Sequence, residues 1–160
     1  DGVSRALTHQ LVRHRIASFN QQSQRYVRFS DGVATVKPES VAASEEASAV
    51  FDRAIDAAVE AYGKLLEAGV PAEDARYLLP NAAETKIVIT MNVRELLHFF
   101  RLRCCNRAQW EIRDMAHRML ELARPTAPFI FLDAGAPCVG GACPEGKMAC
   151  GNPYPRVTRG

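Results

Sequence analysis

No stretch of this 160-residue chain approaches the roughly 18 apolar residues that a membrane-spanning helix needs, and no charged, then apolar, then small-residue leader precedes the first motif. The sequence therefore reads as cytoplasmic, with no membrane partner. Charge of one sign is lacking too: 20 Lys and Arg against 18 Asp and Glu leave a formal charge of +2, too little for a protein that grips long nucleic acid through its overall field. Any anion site must be local. There is no Walker loop and no G-x-G-x-x-G, so a bound nucleotide is not held in a glycine-rich backbone cradle. The five cysteines are an odd number in a chain that is neither short nor visibly secreted, which does not fit a disulfide framework. Cys138, Cys143 and Cys150 lack the tight C-x-x-C gaps of structural zinc sites, and no metal is expected. The most informative absence is carboxylate: from Arg5 to Arg28 there is no Asp or Glu at all. The chain also starts at Asp1 without an initiator methionine and with helical periodicity under way by Val3, as expected of a piece of a longer polypeptide.

What is present suits one globular domain, since 48% hydrophobic residues in 160 are enough for a core. Val3, Leu7, Leu11 and His14 recur at helical spacing and predict a helix over residues 3 to 16, with Arg13 and Arg15 leaving by its other faces. "RYVRFS", from Arg25, alternates like a short strand. Pro38 breaks the chain. Phe51, Ile55, Ala58, Tyr62 and Leu65 then mark one buried face of a long helix, with Gly69 at its C-cap. Pro71, Glu73 and Asp74 open a shorter helix carrying Arg76 and ending near Pro80.

"TKIVIT", Thr85 to Thr90, is strand-like. Asn92 matches an N-cap with Glu95 as its capping-box partner, and the helix it starts runs to about Arg103. On that helix Arg94, His98 and Arg101 stack on one face while Leu96, Leu97 and Phe100 face the core. A further helix through Trp110, Ile112, Met115 and Met119 ends at Pro125, with Trp110 and both methionines read as core. "FIFL" reads as a last strand. The mixture points to an α+β fold, helices packed on a mixed or antiparallel sheet in a single domain.

The chemistry concentrates in "RHRIASFNQQSQRY", Arg13 to Tyr26. A lone His14 on a helix is an ordinary packed histidine, but between two guanidinium groups, which match phosphate and carboxylate oxygens bidentately, it gains significance. With no local acid to neutralise them, these cations point to an external anion. Ser23 has no base to activate it and is a hydrogen-bonding hydroxyl rather than a nucleophile. Arg94 and His98 are either a solvated stripe or one face aimed at a ligand, and Arg76 taken alone is an ordinary surface residue. The residues thus give an arginine-rich anion site of phosphate-ester type, without specifying a reaction.

"RHRIASFNQQS" contains Arg-His-Arg, seven residues, then Ser, and continues into "QRY"; in this it resembles the flavin-dependent thymidylate synthases. "GVPAEDARYLLP", "NVRELLHFFRLR" and "RAQWEIRDMA" resemble further blocks of that family in the same order, so the likeness covers most of residues 1–132. Residues 133–160 form a Gly/Pro/Cys-rich tail with no assigned role. The resemblance implies methylation of deoxyuridylate (dUMP) to dTMP, with methylenetetrahydrofolate as carbon donor and FAD, reduced by NADPH, as hydride source. It also implies a homotetramer with active sites shared between chains.

Carried over residue by residue, it places Arg13, His14, Arg15 and Arg103 at the reacting centre. Arg13, His14, Arg15, Gln21, Asn92, Arg94 and His98 fall at the flavin, and Gln10, Arg13, Ser23, Arg25, Arg76 and Arg103 at the nucleotide. Gln21 stands where many members carry a glutamate, and His98 where some carry an amide. Two other readings use the same features. One is a non-enzymatic phosphate- or RNA-binding module, and the other is a metal-holding tail, through Cys138, Cys143 and Cys150, on an inactive scaffold.

Overall fold

A computed structural model describes residues 1–25 and 32–155. In chain order the elements are β1 (Val3–Ser4), α1 (Arg5–Leu11), β2 (Ala17–Gln21), α2 (Glu39–Ala42), α3 (Glu45–Glu67) and α4 (Ala72–Ala75), followed by a 3-10 turn Arg76–Leu78. Then come β3 (Glu84–Thr85), β4 (Ile87–Met91), α5 (Val93–Arg103), α6 (Trp110–Ala123), α7 (Pro128–Phe131) and α8 (Pro137–Gly140), with 3-10 turns at Arg124–Thr126 and Gly146–Met148. β1 pairs antiparallel with β3, Val3 opposite Thr85 and Ser4 opposite Glu84, while β2 pairs with β4. The fold is α+β, as expected.

The chain forms two compact units, one of residues 1–9 and 19–89 and the other of residues 10–18 and 90–160. In the first unit, α3 starts where Ser44 Oγ accepts the Ala47 amide at 3.2 Å, with Glu45 and Glu46 in the favoured first turn. It stops at a Schellman motif. Val70 N–H donates to Leu65 O and Gly69 N–H to Leu66 O, and Gly69 adopts the φ of +82° that this ending requires. Pro71 precedes α4, and Leu79, just before Pro80, closes the 3-10 turn after it. Of the predicted apolar face of α3 only Tyr62 is fully buried, and Phe51, Ile55, Ala58 and Leu65 are half-buried. Leu7, Ala75 and Ala83 complete the buried apolar set of this unit.

In the second unit, α5 begins at Asn92, whose Oδ1 accepts the Glu95 amide at 2.9 Å. α6 is capped by Gln109, whose Oε1 accepts from the amides of Glu111 and Ile112, both at 3.1 Å. The core comprises Leu11, Phe99, Phe100, Cys104, Ile112, Ala116, Leu120 and Phe131, with Phe99 stacked edge-on against Phe100 and Phe100 against Phe131.

Four expectations need correction. The first helix covers only Arg5–Leu11, because Val3 pairs with Thr85 and Ser4 Oγ caps α1 by accepting the Leu7 amide. Arg13, His14 and Arg15 therefore lie in the turn beyond the helix, not on its faces. "TKIVIT" is divided at Lys86, its first residue ending β3 and the rest belonging to β4, so one β-rich run serves two pairings. "FIFL" is not a strand. Pro128 opens the short helix α7, since a short apolar run bounded by prolines is compatible with either period and proline favours a first helical position. Trp110, Met115 and Met119 are half-buried, and the α6 face that packs is Ile112, Ala116 and Leu120. Finally, the strand expected in "RYVRFS" lies, beyond Arg25, outside the described residues.

Candidate functional site

α1 ends at Leu11 and a turn follows, with the Arg13 amide donating to Gln10 O at 3.3 Å and the His14 amide to Leu11 O at 3.1 Å. This turn drives His14 inward, to 3% exposure, and turns Arg13 and Arg15 outward. His14 Nδ1 is 2.9 Å from Glu95 Oε1, and the ring packs edge-on against Phe99 with centroids 5.0 Å apart. Arg103, in the last turn of α5, donates its Nε–H to His14 Nε2 at 3.1 Å and an NH2 hydrogen to the Gln10 carbonyl at 3.0 Å. Burial holds the His14 imidazole below the usual histidine range, with the Glu95 hydrogen bond pulling the other way and the Arg103 charge adding to the depression. His14 is thus a neutral imidazole near neutral pH. Burial also lowers Arg103 from its ordinary value, but a guanidinium stays charged.

Arg13, Arg15 and Arg94 are exposed and have no side-chain partner among the described residues. Exposed His98 shares its helix face with Arg94, and its ring centroid is 5.8 Å from that of His14. A cleft of about 440 Å³ is lined by Ile16, Asn92, Val93, Arg94 and Glu95, at the start of α5. Asn92 has committed its side-chain oxygen to the helix cap, which leaves its amide nitrogen for any ligand.

The remaining predicted residues belong to the first unit. Arg25 forms an ion pair with Glu73 at 2.7 Å, and Arg76 Nε donates to the Glu73 carbonyl at 3.0 Å, so both guanidinium groups meet one residue. Arg5, lowered by burial and then by the charge of Arg76, adds a further cation there. Ser23 Oγ accepts the Arg25 amide at 3.1 Å, an Ser/Thr-type turn, and Gln21 donates to Thr85 Oγ1 at 3.3 Å. The structure therefore gathers Gln10, His14, His98 and Arg103 in one place, with Asn92 at the far end of the same helix from Arg103, and brings Arg25 and Arg76 to Glu73.

Two acids were missed as site members. The sequence shows Glu95 only as a capping partner and Glu73 only as a first-turn acid. The inference of no neutralising carboxylate is corrected for His14 and Arg25, whose acids arrive from 81 and 48 residues away. Among the described residues no carboxylate pairs with Arg13 or Arg15.

Among the described residues, the one group of three metal-ligating side chains whose ligand atoms lie within 4.8 Å of one another is His14, Glu95 and His98. Arg103 occupies the Nε2 side of His14 and Glu95 the Nδ1 side, so a cation would have to displace a guanidinium. The tail thiols do not converge in this way. Cys105, Cys138, Cys143 and Cys150 line a cavity of about 130 Å³, but no three of them approach to that distance. All five cysteines are unpaired, and burial pushes the Cys104 thiol up to about 12. Cys104 is a packing residue rather than a nucleophile. No helix is long and apolar enough to cross a membrane among the described residues.

The structure thus places an arginine-flanked turn beside a capped helix on an α+β scaffold. The chain matches the family model described as thymidylate synthase complementing protein over residues 1–129. It is 62% identical to the flavin-dependent thymidylate synthase of Geobacter sulfurreducens over 152 residues, covering 94% of this chain and 66% of that protein. Identity is 48% over 167 residues with the enzyme of that name from Clostridium tetani (94% and 67% covered). With that of Nitratidesulfovibrio vulgaris it is 53% over 165 residues (97% and 66%). The chain belongs to the thymidylate synthase complementing protein family. It spans about two thirds of the length of these relatives.

Proposed function

We propose that this chain is the catalytic region of a cytoplasmic flavin-dependent thymidylate synthase, methylating dUMP to dTMP with methylenetetrahydrofolate and NADPH as co-substrates. Its family membership and the shared name of its relatives support this reading. The observation that carries it is the turn after α1, which presents Arg13 and Arg15 with no carboxylate partner among the described residues while fixing His14 and Arg103 behind them. No comparison favours the alternative of a phosphate- or RNA-binding module.

Exposed Arg13, Arg15 and Arg94, without side-chain partners among the described residues, fit an anionic flavin, and Arg25, Arg76 and Arg103 offer guanidinium groups to an anionic nucleotide. When bound, FAD would supply the hydride, and the protein would supply orientation and charge. Arg13, Arg15, Arg94, His98 and the Asn92 amide would hold it, and Gln21, in the first unit, is a further candidate flavin contact. In the second unit Gln10 and Arg103, and in the first unit Ser23, Arg25 and Arg76, are the candidate dUMP contacts, with Arg25 and Arg76 exchanging Glu73 for the ligand phosphate. Arg103 and the turn arginines would stabilise negative charge developing on the uracil or the reduced flavin. We place residues 1–132 in the catalytic core and 133–160 in an appended tail, and we expect a homotetramer with sites shared between chains and no polynucleotide partner.

The test is spectroscopic. The full chain should turn yellow with FAD and bleach under NADPH when dUMP is present. Protein that takes up no flavin, or whose flavin is not reduced, would contradict the proposal.

A further inference from the structure

Both ring nitrogens of His14 are occupied inside the protein. The Arg103 Nε–H can only donate, so His14 Nε2, 3.1 Å away, must present its lone pair. The single proton of a neutral ring then sits on Nδ1 and is donated to Glu95 Oε1 at 2.9 Å. At 3% exposure the imidazole has no nitrogen left for a cofactor or for moving a proton in the reaction.

Glu95 is equally out of the ordinary. It stands at the capping-box position, and its amide donates to Asn92 Oδ1 as such a box requires. Its carboxylate, only 6% exposed, nevertheless accepts from His14, 81 residues earlier in the chain. A buried carboxylate carries a desolvation cost, and here it is spent on fixing one imidazole. Which ring nitrogen carries the proton is set by the hydrogen bond the other makes, and the Glu95 contact selects the Nδ1–H form. In the other tautomer two N–H groups, from His14 and Arg103, would face each other.

We propose that Glu95 is a positioning residue of the nucleotide site: it locks His14 as the Nδ1–H tautomer, and His14 in turn aims the Arg103 guanidinium. The Gln10 carbonyl fixes a second edge of that guanidinium, leaving its other N–H groups to meet an anion. His14, which the family resemblance implies to be among the catalytic residues, is on this account a spacer between Glu95 and Arg103. The inference rests on the proposed dUMP site for its purpose, but not for its geometry.

Two measurements on the full chain test it. In protein labelled with nitrogen-15 histidine, long-range proton–nitrogen correlations at neutral pH should show His14 neutral and protonated on Nδ1. An Nε2–H or doubly protonated His14 overturns the proposal, and this readout needs neither flavin nor a variant. Glu95→Leu removes the acceptor of the Nδ1–H, so it should loosen the ring and weaken dUMP binding by roughly tenfold or more, as loss of an orienting partner does in metal sites. Dissociation constants equal to those of the wild type overturn the role. Wild-type protein that shows the Nδ1–H tautomer but binds no dUMP instead overturns the functional reading, and the relay then stands on the tautomer alone.

Discussion

The two basic clusters answer the same shortage of local carboxylate in opposite ways. At His14 and Arg103, Glu95 approaches to 2.9 Å with its side chain 7% exposed and that of His14 2% exposed. At Arg25 and Arg76, Glu73 approaches as closely, 2.7 Å, but with the paired side chains 50% and 47% exposed. Distance alone would rank them equal. In water the second contact is screened and exchangeable, whereas the first is held by the burial of everything around it. Burial, not contact length, separates a fixed scaffold from a counter-ion that a phosphate can displace.

The contrast can be broken most forcefully at Glu95. Glu95→Ala strands the buried His14 Nδ1–H and should cost about 1–3 kcal/mol, measured by urea unfolding. A loss within error of zero would mean the cluster is not fixed. Asn92→Ala removes the cap that starts the helix carrying Glu95, with an expected loss of about 1 kcal/mol in the same assay. Glu73→Ala should cost less than about 1 kcal/mol, and that cost should shrink further as salt is raised.

Acid should act on the buried cluster. His14 is depressed below its ordinary value of 6.5, mainly by burial, so the unfolded chain takes up a proton that the folded chain refuses. Stability should therefore fall as pH drops through 6.5 and level off below the lower folded-state value. His14→Gln should flatten that acid limb, and an unchanged limb would assign it to other groups. The smallest effect concerns the thiols. Buried Cys104, pushed up to about 12, should resist alkylation, whereas exposed Cys143 and Cys150 react first, as followed by mass spectrometry.

The two clusters also differ in how much of them could be read in advance. Asn92, Gly69 and Pro71 each act within a turn of their own position, so the start of α5, the end of α3 and the opening of α4 were legible. The Arg-His-Arg motif was legible as a basic turn for the same reason. The partners of that motif were not, because Glu95 and Arg103 reach His14 across 81 and 89 residues and helical spacing carries no information at that range. Val3 and "FIFL" failed differently. Val3 follows the spacing of α1 but is claimed by Thr85, and a short apolar run beside prolines fits a helix as well as a strand. On α6, bulk suggested Trp110, Met115 and Met119, while the packed stripe runs through Ile112, Ala116 and Leu120.

The most direct test of the central claim is release of tritium from dUMP labelled at carbon 5 of the uracil, with the full chain, FAD, NADPH and methylenetetrahydrofolate present. The account predicts release that requires flavin and is lost in Arg103→Leu. No release from flavin-loaded wild-type protein, or release indifferent to flavin, would contradict it.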